Sequence, residues 1–282
     1  MANTRDIRRR IKSVKNTQQI TKAMKMVSAA KLRRAQTSVV AARPYTKKLQ
    51  EVMDSLSFST ARHPYMEKRE VKKVGYVVIA GNRGLCGGFN TNVFRAAEAA
   101  AQGKDYGLVV VGNKTRDYFK SRNREIVSQF LNISDNPTFV FGKELAREIS
   151  RLYLDGVFDE IYLVYTEFKS AISATPVVKK LLPVADDFAE ESAAAPVSEF
   201  IFEPGEKELI DVIMPQYLDV SVYTSLLEAK ASEHGARMTA MSSATDNARD
   251  IISKLTLSLN RARQAAITTE ISEIVGGAAA LE

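Results

Sequence analysis

The residues best placed for chemistry lie in a glycine-rich loop, Gly81 to Gly88, which contains Gly84, Cys86 and Gly87. The loop follows a strand-like run and precedes a helix-like one, as phosphate-binding loops do. No two of its glycines are two residues apart, as a dinucleotide fingerprint requires, and no Gly-Lys-Ser/Thr follows. We interpret the loop as a tight strand-to-helix turn, with nucleotide binding as the alternative.

Three other features are possible chemical sites. The segment from Gly107 to Thr115 has one residue too many before its lysine for a P-loop, and its valines are typical of a strand. The only cysteine, Cys86, shares no recognisable signature with the two histidines, His63 and His234, so a buried thiol is favoured over a nucleophile. These three side chains form no plausible zinc or iron ligand set. The sequence predicts no catalytic residue, no metal site and no cofactor.

Helix-breaking residues are concentrated in the middle of the chain. The first proline is Pro44 and the first glycine is Gly75, and from Gln216 to Val275 the only such residue is Gly235. This distribution predicts two long helices, from Asn3 to Ser57 and from Gln216 to Val275.

Each long helix has one apolar stripe. The first stripe comprises Ile7, Ile11, Val14, Ile20, Met24, Val27, Leu32 and Ala35. The second comprises Met238, Met241, Ala244, Ala248, Ile252, Leu255, Leu259, Ala262 and Ala266. Helices of roughly 80 to 90 Å exceed the roughly 50 Å diameter of a compact globule of this size, so they must protrude from it. An antiparallel coiled coil buries both stripes and predicts a rod with a lateral domain, while the pairing register stays open.

The middle of the chain alternates strand-like and helix-like runs. Strands are predicted at Val74–Ile79, Leu108–Val111, Ile126–Phe130 and Ile161–Tyr165, and helices at Asn92–Ala101, Lys114–Ser121 and Lys143–Leu154. This order predicts a central α/β, Rossmann-like domain. The expected domains are an N-terminal coiled-coil helix at 1–60, the α/β domain at 70–205 and a C-terminal coiled-coil helix at 208–282.

The charge is uneven, because residues 1–50 contain fourteen Lys or Arg and one acid, Asp6. Such a helix is typically a solvated face, with acidic protein surfaces and nucleic acid as possible partners. No aromatic residue precedes Tyr45, which argues against base stacking. No apolar run is as long as the roughly 20 residues that a membrane-spanning helix requires.

The C-terminal end has the most unusual surface. Ile267, Ile271, Ile274 and Val275 lie on a helix that is expected to extend beyond its shorter partner. Unpaired apolar helix surface normally marks a contact with another protein.

Three segments resemble the gamma subunit of F-type ATP synthases. They are Ile267–Ala278, which fits the family's Ile-Thr-x-Glu pattern followed by Gly-Ala, the opening Ile7–Val27, and the Arg83–Gly87 loop. The resemblance covers the whole chain and is to the bacterial type. It implies a central-stalk rotor that catalyses nothing itself and couples proton-driven rotation of the c-subunit ring to ATP synthesis or hydrolysis at the beta subunits.

The resemblance also implies particular contacts and a location. The residues implied to face the alpha and beta subunits are Met24, Lys25, Arg263, Gln264, Thr268 and Glu270. Those implied to form a foot on the c ring and the epsilon subunit are Glu203, Pro204 and Tyr217. The single Cys86 and the absence of a transit peptide favour a peripheral protein at the cytoplasmic face of the bacterial cell membrane, without nucleic acid. The alternative is an α/β nucleotide-binding enzyme with coiled-coil arms.

Overall fold

A computed structural model describes residues 4–56, 63–170, 173–184 and 205–279. It contains the two long terminal helices, α1 at Thr4–Leu56 and α5 at Glu206–Ala279. The extent of α1 agrees with the prediction, but α5 begins ten residues before the predicted Gln216. The helix continues through Pro215, whose missing N–H removes one helical hydrogen bond, because the buried Ile210 and Met214 anchor the preceding turn in the core.

Between the long helices the chain forms a five-stranded sheet with helices on both faces. The strands are β1 at Val74–Ile79, β2 at Tyr106–Val111, β3 at Ile126–Phe130, β4 at Glu160–Phe168 and β5 at Ala174–Leu182. The helices are α2 at Phe89–Ala101, α3 at Asn113–Lys120 and α4 at Phe139–Leu154, and a 3₁₀ turn lies at Pro64–Met66. The spatial order is β3-β2-β1-β4-β5, with β5 antiparallel and the others parallel. The predicted α/β class is confirmed.

The sequence pattern does not predict β5. The strand contains Pro176 and the lysines Lys179 and Lys180, which depart from the apolar pattern of the other strands. Proline is tolerated in an edge strand because one side of its backbone needs no ladder partner. The segment forms a strand because it pairs antiparallel with β4, although its local sequence does not favour a strand.

The core of this sheet lies on both of its faces. β1 is buried at all six positions and alternates between the two sides. Val77 and Ile79 join the cluster that includes residues of α4 and α5, whereas Tyr76 and Val78 join the cluster that includes α2. A central parallel strand that is covered on both faces has a continuous apolar sequence. The strand prediction for β1 is confirmed for this reason.

The described chain divides into two compact units. The body comprises residues 28–237, and the helical pair comprises residues up to 27 together with those from 238 onward. The boundary cuts both long helices, so part of each helix belongs to the body. The sequence-based divisions near 60–70 and 205–208 lie close to the ends of the long helices, and the predicted domains at 1–60, 70–205 and 208–282 stay a prediction.

Within the helical pair, α1 and α5 are antiparallel. The hydroxyl groups of Thr21 and Thr245 are 2.9 Å apart, and the Lys25 amine donates to the Ser242 hydroxyl at 2.9 Å. The residue numbers of each pair add to nearly the same value, which defines an antiparallel register. Continued along the pair, this register sets Ile7 opposite Leu259.

The predicted stripe of α1 is wrong at two positions. Ile20 and Val27 are 60% and 54% exposed, whereas Thr21 is 8% exposed. A strict alternation of three and four steps leads from Val14 through Gln18 to Thr21. Val14 and Gln18 are half-buried and Thr21 is buried, although Gln18 and Thr21 are polar. The prediction followed apolar residue types and so left the buried face.

The predicted seam of α5 is largely confirmed. Met241 and Ala248 are buried, and the half-buried positions that follow are Ile252, Leu255, Leu259 and Ala262. In the described part of the chain, no helix combines the length and the apolarity that a bilayer crossing requires.

Candidate functional site

The end of the sheet where a doubly wound fold normally binds ligands is filled by α5. Such ligands bind beyond the carboxyl ends of the strands, where the strand order reverses, which here lies between β1 and β4. The Ser232 hydroxyl of α5 donates to the Thr166 carbonyl of β4 at 3.2 Å. A Cβ atom added to Gly81, just after β1, would lie 3.1 Å from Glu233. The glycine permits this close approach of helix and loop.

A buried ion network holds α5 at that place. Glu233 is 3% exposed and accepts hydrogen bonds from Lys230 at 3.0 Å and from Arg237 at 2.7 Å. Burial opposes ionisation of Glu233, but the two cations outweigh it and lower the pKa of the carboxyl group. Arg237 also donates to the Gly84 carbonyl at 3.4 Å. Lys230 and Arg237 are therefore engaged by the protein's own groups beside the glycine-rich loop.

Beside the network lies a buried histidine, His234. It is 1% exposed, and neither ring nitrogen has a hydrogen-bond partner among the described residues. Its Nε2 is 3.8 Å from the Asp135 carboxylate, whose other oxygen accepts from the Lys31 amine at 2.6 Å. Burial lowers the pKa of His234 below its ordinary value, which favours the neutral ring.

Cys86 is a buried thiol, as predicted, with 1% of its surface exposed. Burial raises the pKa of this thiol, which disfavours the nucleophilic thiolate. Asn90 donates to Sγ at 3.3 Å. Across the described ranges, no cluster of three or more His, Cys, Asp or Glu side chains is arranged to hold a metal ion.

The C-terminal part of α5 forms an exposed surface. In the observed register Ala262 lies opposite Thr4, the first described residue of α1, and every residue from Arg263 to Gly277 is exposed. This terminal surface includes Ile267, Ile271, Ile274 and Val275, with exposed fractions of 49%, 55%, 65% and 62%. Within the described residues, α5 extends beyond its partner helix, as expected.

The predicted contact residues fall into separate groups. Arg263, Gln264, Thr268 and Glu270 are all exposed on the terminal surface. Met24 is half-buried and Lys25 is exposed in the paired part of the helices, where Lys25 contacts Ser242. That register separates Lys25 from Arg263 by about 21 residues of α5, or roughly 30 Å along the helix. The structure therefore does not bring these two groups together.

The three predicted foot residues have a different outcome. Glu203 and Pro204 lie outside the described residues. Tyr217 is 9% exposed and belongs to the core cluster of the body. Its ring therefore contributes to packing, and the foot contact remains a prediction.

α1 also carries an exposed apolar patch that was not predicted from the sequence. Ile20, Met26 and Val27 are exposed by 60%, 60% and 54%, close to Lys25 in the chain. A strict heptad count from Ile7 would have found the patch, because it places these residues off the buried face. The helical pair thus presents apolar side chains both on α1 and on the terminal surface.

The chain is similar in sequence to known proteins along its whole length. The family model described as ATP synthase matches residues 3–281. The chain is 52% identical to the ATP synthase gamma chains of Desulfitobacterium hafniense and Desulforamulus reducens, and 50% identical to that of Heliobacterium modesticaldum. Each alignment covers all of both proteins.

Solved structures show the same fold. The central stalk and c ring of the Tetrahymena thermophila mitochondrial ATP synthase contain a chain 27% identical to this one, with a TM-score of 0.62 over 80% of this chain and 99% of that one. A chain of the Euglena gracilis mitochondrial ATP synthase, in an assembly with OSCP, F1 and the c ring, is 23% identical, with a TM-score of 0.74 over 99% and 94% of the two chains. The chain described here therefore belongs to the ATP synthase gamma-chain family.

Proposed function

We propose that this chain is the central-stalk rotor subunit of an F-type ATP synthase, transmitting rotation of the c ring to beta subunits that synthesise or hydrolyse ATP. Sequence identities of 52% and 50% to bacterial gamma chains, over the full length of both proteins, support the assignment. So does the likeness to a chain from an assembly described as a central stalk with its c ring.

The observation that carries the proposal is the exposed terminal surface. It holds four large apolar side chains, each about half exposed or more, on a stretch of α5 that no described residue of α1 covers. Leaving such a surface in water forfeits the free energy of burial, about 25 cal/mol for each Å². A cavity formed by the alpha and beta subunits would cover it.

The polar residues nearby suit a bearing better than a fixed joint. Arg263 and Glu270 lie one heptad apart on α5 and are both exposed. The Thr268 hydroxyl donates to the Gln264 carbonyl of its own helix at 3.0 Å. Exposed charges form weak ion pairs that salt screens, so contacts with the surrounding subunits can exchange as the rotor turns. Met24 and Lys25 would form a second contact with the beta subunits.

The body supports a role without catalysis. Lys230 and Arg237 bind Glu233, Arg237 also binds the Gly84 carbonyl, and burial raises the pKa of the Cys86 thiol. Catalysis would then belong to the beta subunits. We place the protein at the cytoplasmic face of a bacterial membrane, bound to the c ring and the epsilon subunit through a foot that includes Glu203, Pro204 and Tyr217.

Reconstitution tests this proposal. Purified alpha and beta subunits mixed with the full chain should form a complex that hydrolyses ATP. The double variant Ile267→Asp/Ile274→Asp should lower the yield of that complex at least tenfold, because it places two carboxylates in an apolar contact. The control Ser253→Asp/Ser258→Asp, on exposed polar positions of α5, should leave the yield unchanged.

Two outcomes would contradict the proposal. One is the absence of an ATP-hydrolysing complex with the unaltered chain, and the other is an equal yield with both double variants. Equilibrium dialysis of the isolated full chain against ATP addresses the enzyme alternative. Micromolar binding would favour a nucleotide-binding enzyme.

A further inference from the structure

Among the described residues, the sheet of the body has an open edge at β3. Among the described strands, β3 is hydrogen-bonded to β2 alone. The Phe130 carbonyl accepts from the Gly112 amide at 2.8 Å and so points toward β2. Because neighbouring residues of a strand direct their backbone groups to opposite sides, the amide and carbonyl of Gln129 point outward. The edge therefore offers a donor and an acceptor to an added strand.

The opposite edge of the sheet is protected. β5 has Pro176 in its interior, where the ring removes a donor, and the exposed Lys179 further along. Both features discourage an additional strand. β3 contains neither proline nor lysine within Ile126–Phe130. The two edges thus differ in their capacity to accept a strand.

A positively charged cleft of about 590 Å³ lies along β3. Its charged lining residues are Arg116, Lys120, Arg124 and Glu125. Arg116 pairs with Asp117 at 2.7 Å, and Glu125 pairs with Lys73 at 2.8 Å. Lys120 and Arg124 are exposed and have no ion-pair partner among the described residues. The cleft therefore combines open backbone groups with two uncompensated cations.

We propose that β3 accepts an extended acidic segment of another subunit as a sixth strand, with carboxylates that meet Lys120 and Arg124. Backbone hydrogen bonds would provide affinity, and the two cations would select acidic sequences. A second copy of this chain is disfavoured, because pairing two β3 edges would bring like charges together. The inference rests on the proposed function, since the assembled complex supplies the segment.

Hydrogen exchange measured by mass spectrometry tests the proposal. The full chain is compared alone and in the ATP synthase assembled with its own partner subunits. Amides of residues 126–130 should exchange at least tenfold more slowly in the complex, because the Gln129 amide gains an acceptor. Amides of β5 should change far less.

Charge reversal adds a second arm to the experiment. In the complex, Lys120→Glu/Arg124→Glu should restore the fast exchange of β3, while Lys114→Glu, at the other end of α3, should not. Circular dichroism establishes that the variants are folded. If the double variant does not fold, the comparison of the unaltered chain alone and assembled still decides.

The outcomes separate this inference from the proposed function. An active complex in which β3 exchanges as fast as in the isolated chain overturns the inference and leaves the rotor assignment intact. Protection of β3 that grows with the concentration of the isolated chain identifies a second copy as the occupant and also overturns it. Failure to assemble refutes the rotor assignment and, with it, this inference.

Discussion

The body and the helical pair bury very different kinds of surface. In the body, large side chains such as Tyr153, Phe158 and Leu163 are fully buried, and β1 is buried along its whole length. In the helical pair, Thr21 and Thr245 share the buried seam with small residues such as Ala248. The seam is narrow, and most residues around it are exposed.

The two units therefore differ in how much apolar burial contributes to their stability. Apolar burial contributes roughly 25 cal/mol for each Å², so the body has the larger store of folding free energy. The helical pair leaves much of its apolar surface outside the seam, including Ile20 and Ile274. We conclude that apolar burial stabilises the body more than the pair. Under the proposed function, the exposed apolar surface of the pair contacts other subunits. Four predictions test this contrast.

A matched pair of leucine truncations should give the largest difference. Leu163→Ala, at a fully buried position of β4, should lower the free energy of unfolding by about 4 kcal/mol through lost contacts and a new cavity. Leu255→Ala, at a half-buried position of the seam, should cost about 1 kcal/mol. Urea denaturation followed by circular dichroism measures both. Equal losses would contradict the contrast between the two units.

Glu233→Gln should be nearly as damaging to the body. The substitution removes the carboxylate that Lys230 and Arg237 share and leaves two cations in a buried site. Breaking a buried ion pair in this way costs about 3 kcal/mol. Glu148→Gln, which disrupts the surface pair with Arg151, is the control and should change the unfolding free energy far less. Similar losses in the two variants would show that the buried network has no special role.

The stability of the body should depend on His234 as the pH falls. Burial lowers the pKa of this histidine below 6.5 in the folded state, so the unfolded state binds its proton more readily. Its contribution to stability is therefore present above pH 6.5 and is lost as the pH falls through 6.5 toward the folded value. The effect should be smaller than that of Glu233→Gln.

Unfolding free energies at pH 7.5 and 5.5 measure this contribution. His234→Asn should reduce the loss between the two values. Burial also lowers the pKa of His63, so His63→Asn must be measured in parallel to separate the two histidines. An unchanged pH dependence in His234→Asn would contradict the prediction.

Lys25→Gln should have the smallest effect on folding. Lys25 is exposed and donates to the Ser242 hydroxyl, so its loss should leave the unfolding free energy within about 0.5 kcal/mol. If Lys25 contacts a beta subunit, the variant should reduce proton pumping per ATP hydrolysed in reconstituted vesicles. Ser242→Ala removes the same hydrogen bond and keeps the charge, so it should preserve pumping. Parallel losses of stability and pumping in Lys25→Gln would refute the prediction.

Local sequence predicted the regular elements well where the pattern and the environment agree. The central strand β1 is apolar throughout because both of its faces are buried, and the long helices lack breaking residues over most of their length. Two errors arose where tertiary contacts override local preference. β5 forms by pairing with β4 despite Pro176. α5 continues through Pro215 because the neighbouring Ile210 and Met214 are buried in the core.

The candidate contact residues were only partly predictable. The sequence predicted that α5 extends beyond its partner, but the exposure of Arg263 and Glu270 depends on the register, in which Ala262 lies opposite Thr4. The burial of Tyr217 and the exposure of Ile20 depend on which helical face meets its neighbour. Residue type alone does not define that face, because an exposed isoleucine and a buried threonine lie side by side in α1.

The α/β class, the two long helices and the apolar C-terminal end were predictable from the residues alone, since periodicity and the absence of helix breakers act locally. The register, in which Thr21 meets Thr245, and the insertion of Glu233 beside Gly81 emerge only in the folded chain. Both depend on the packing of residues more than a hundred positions apart. Such contacts form where shape, charge and hydrogen bonds are satisfied together, and this requirement has no signature in a single stretch of chain.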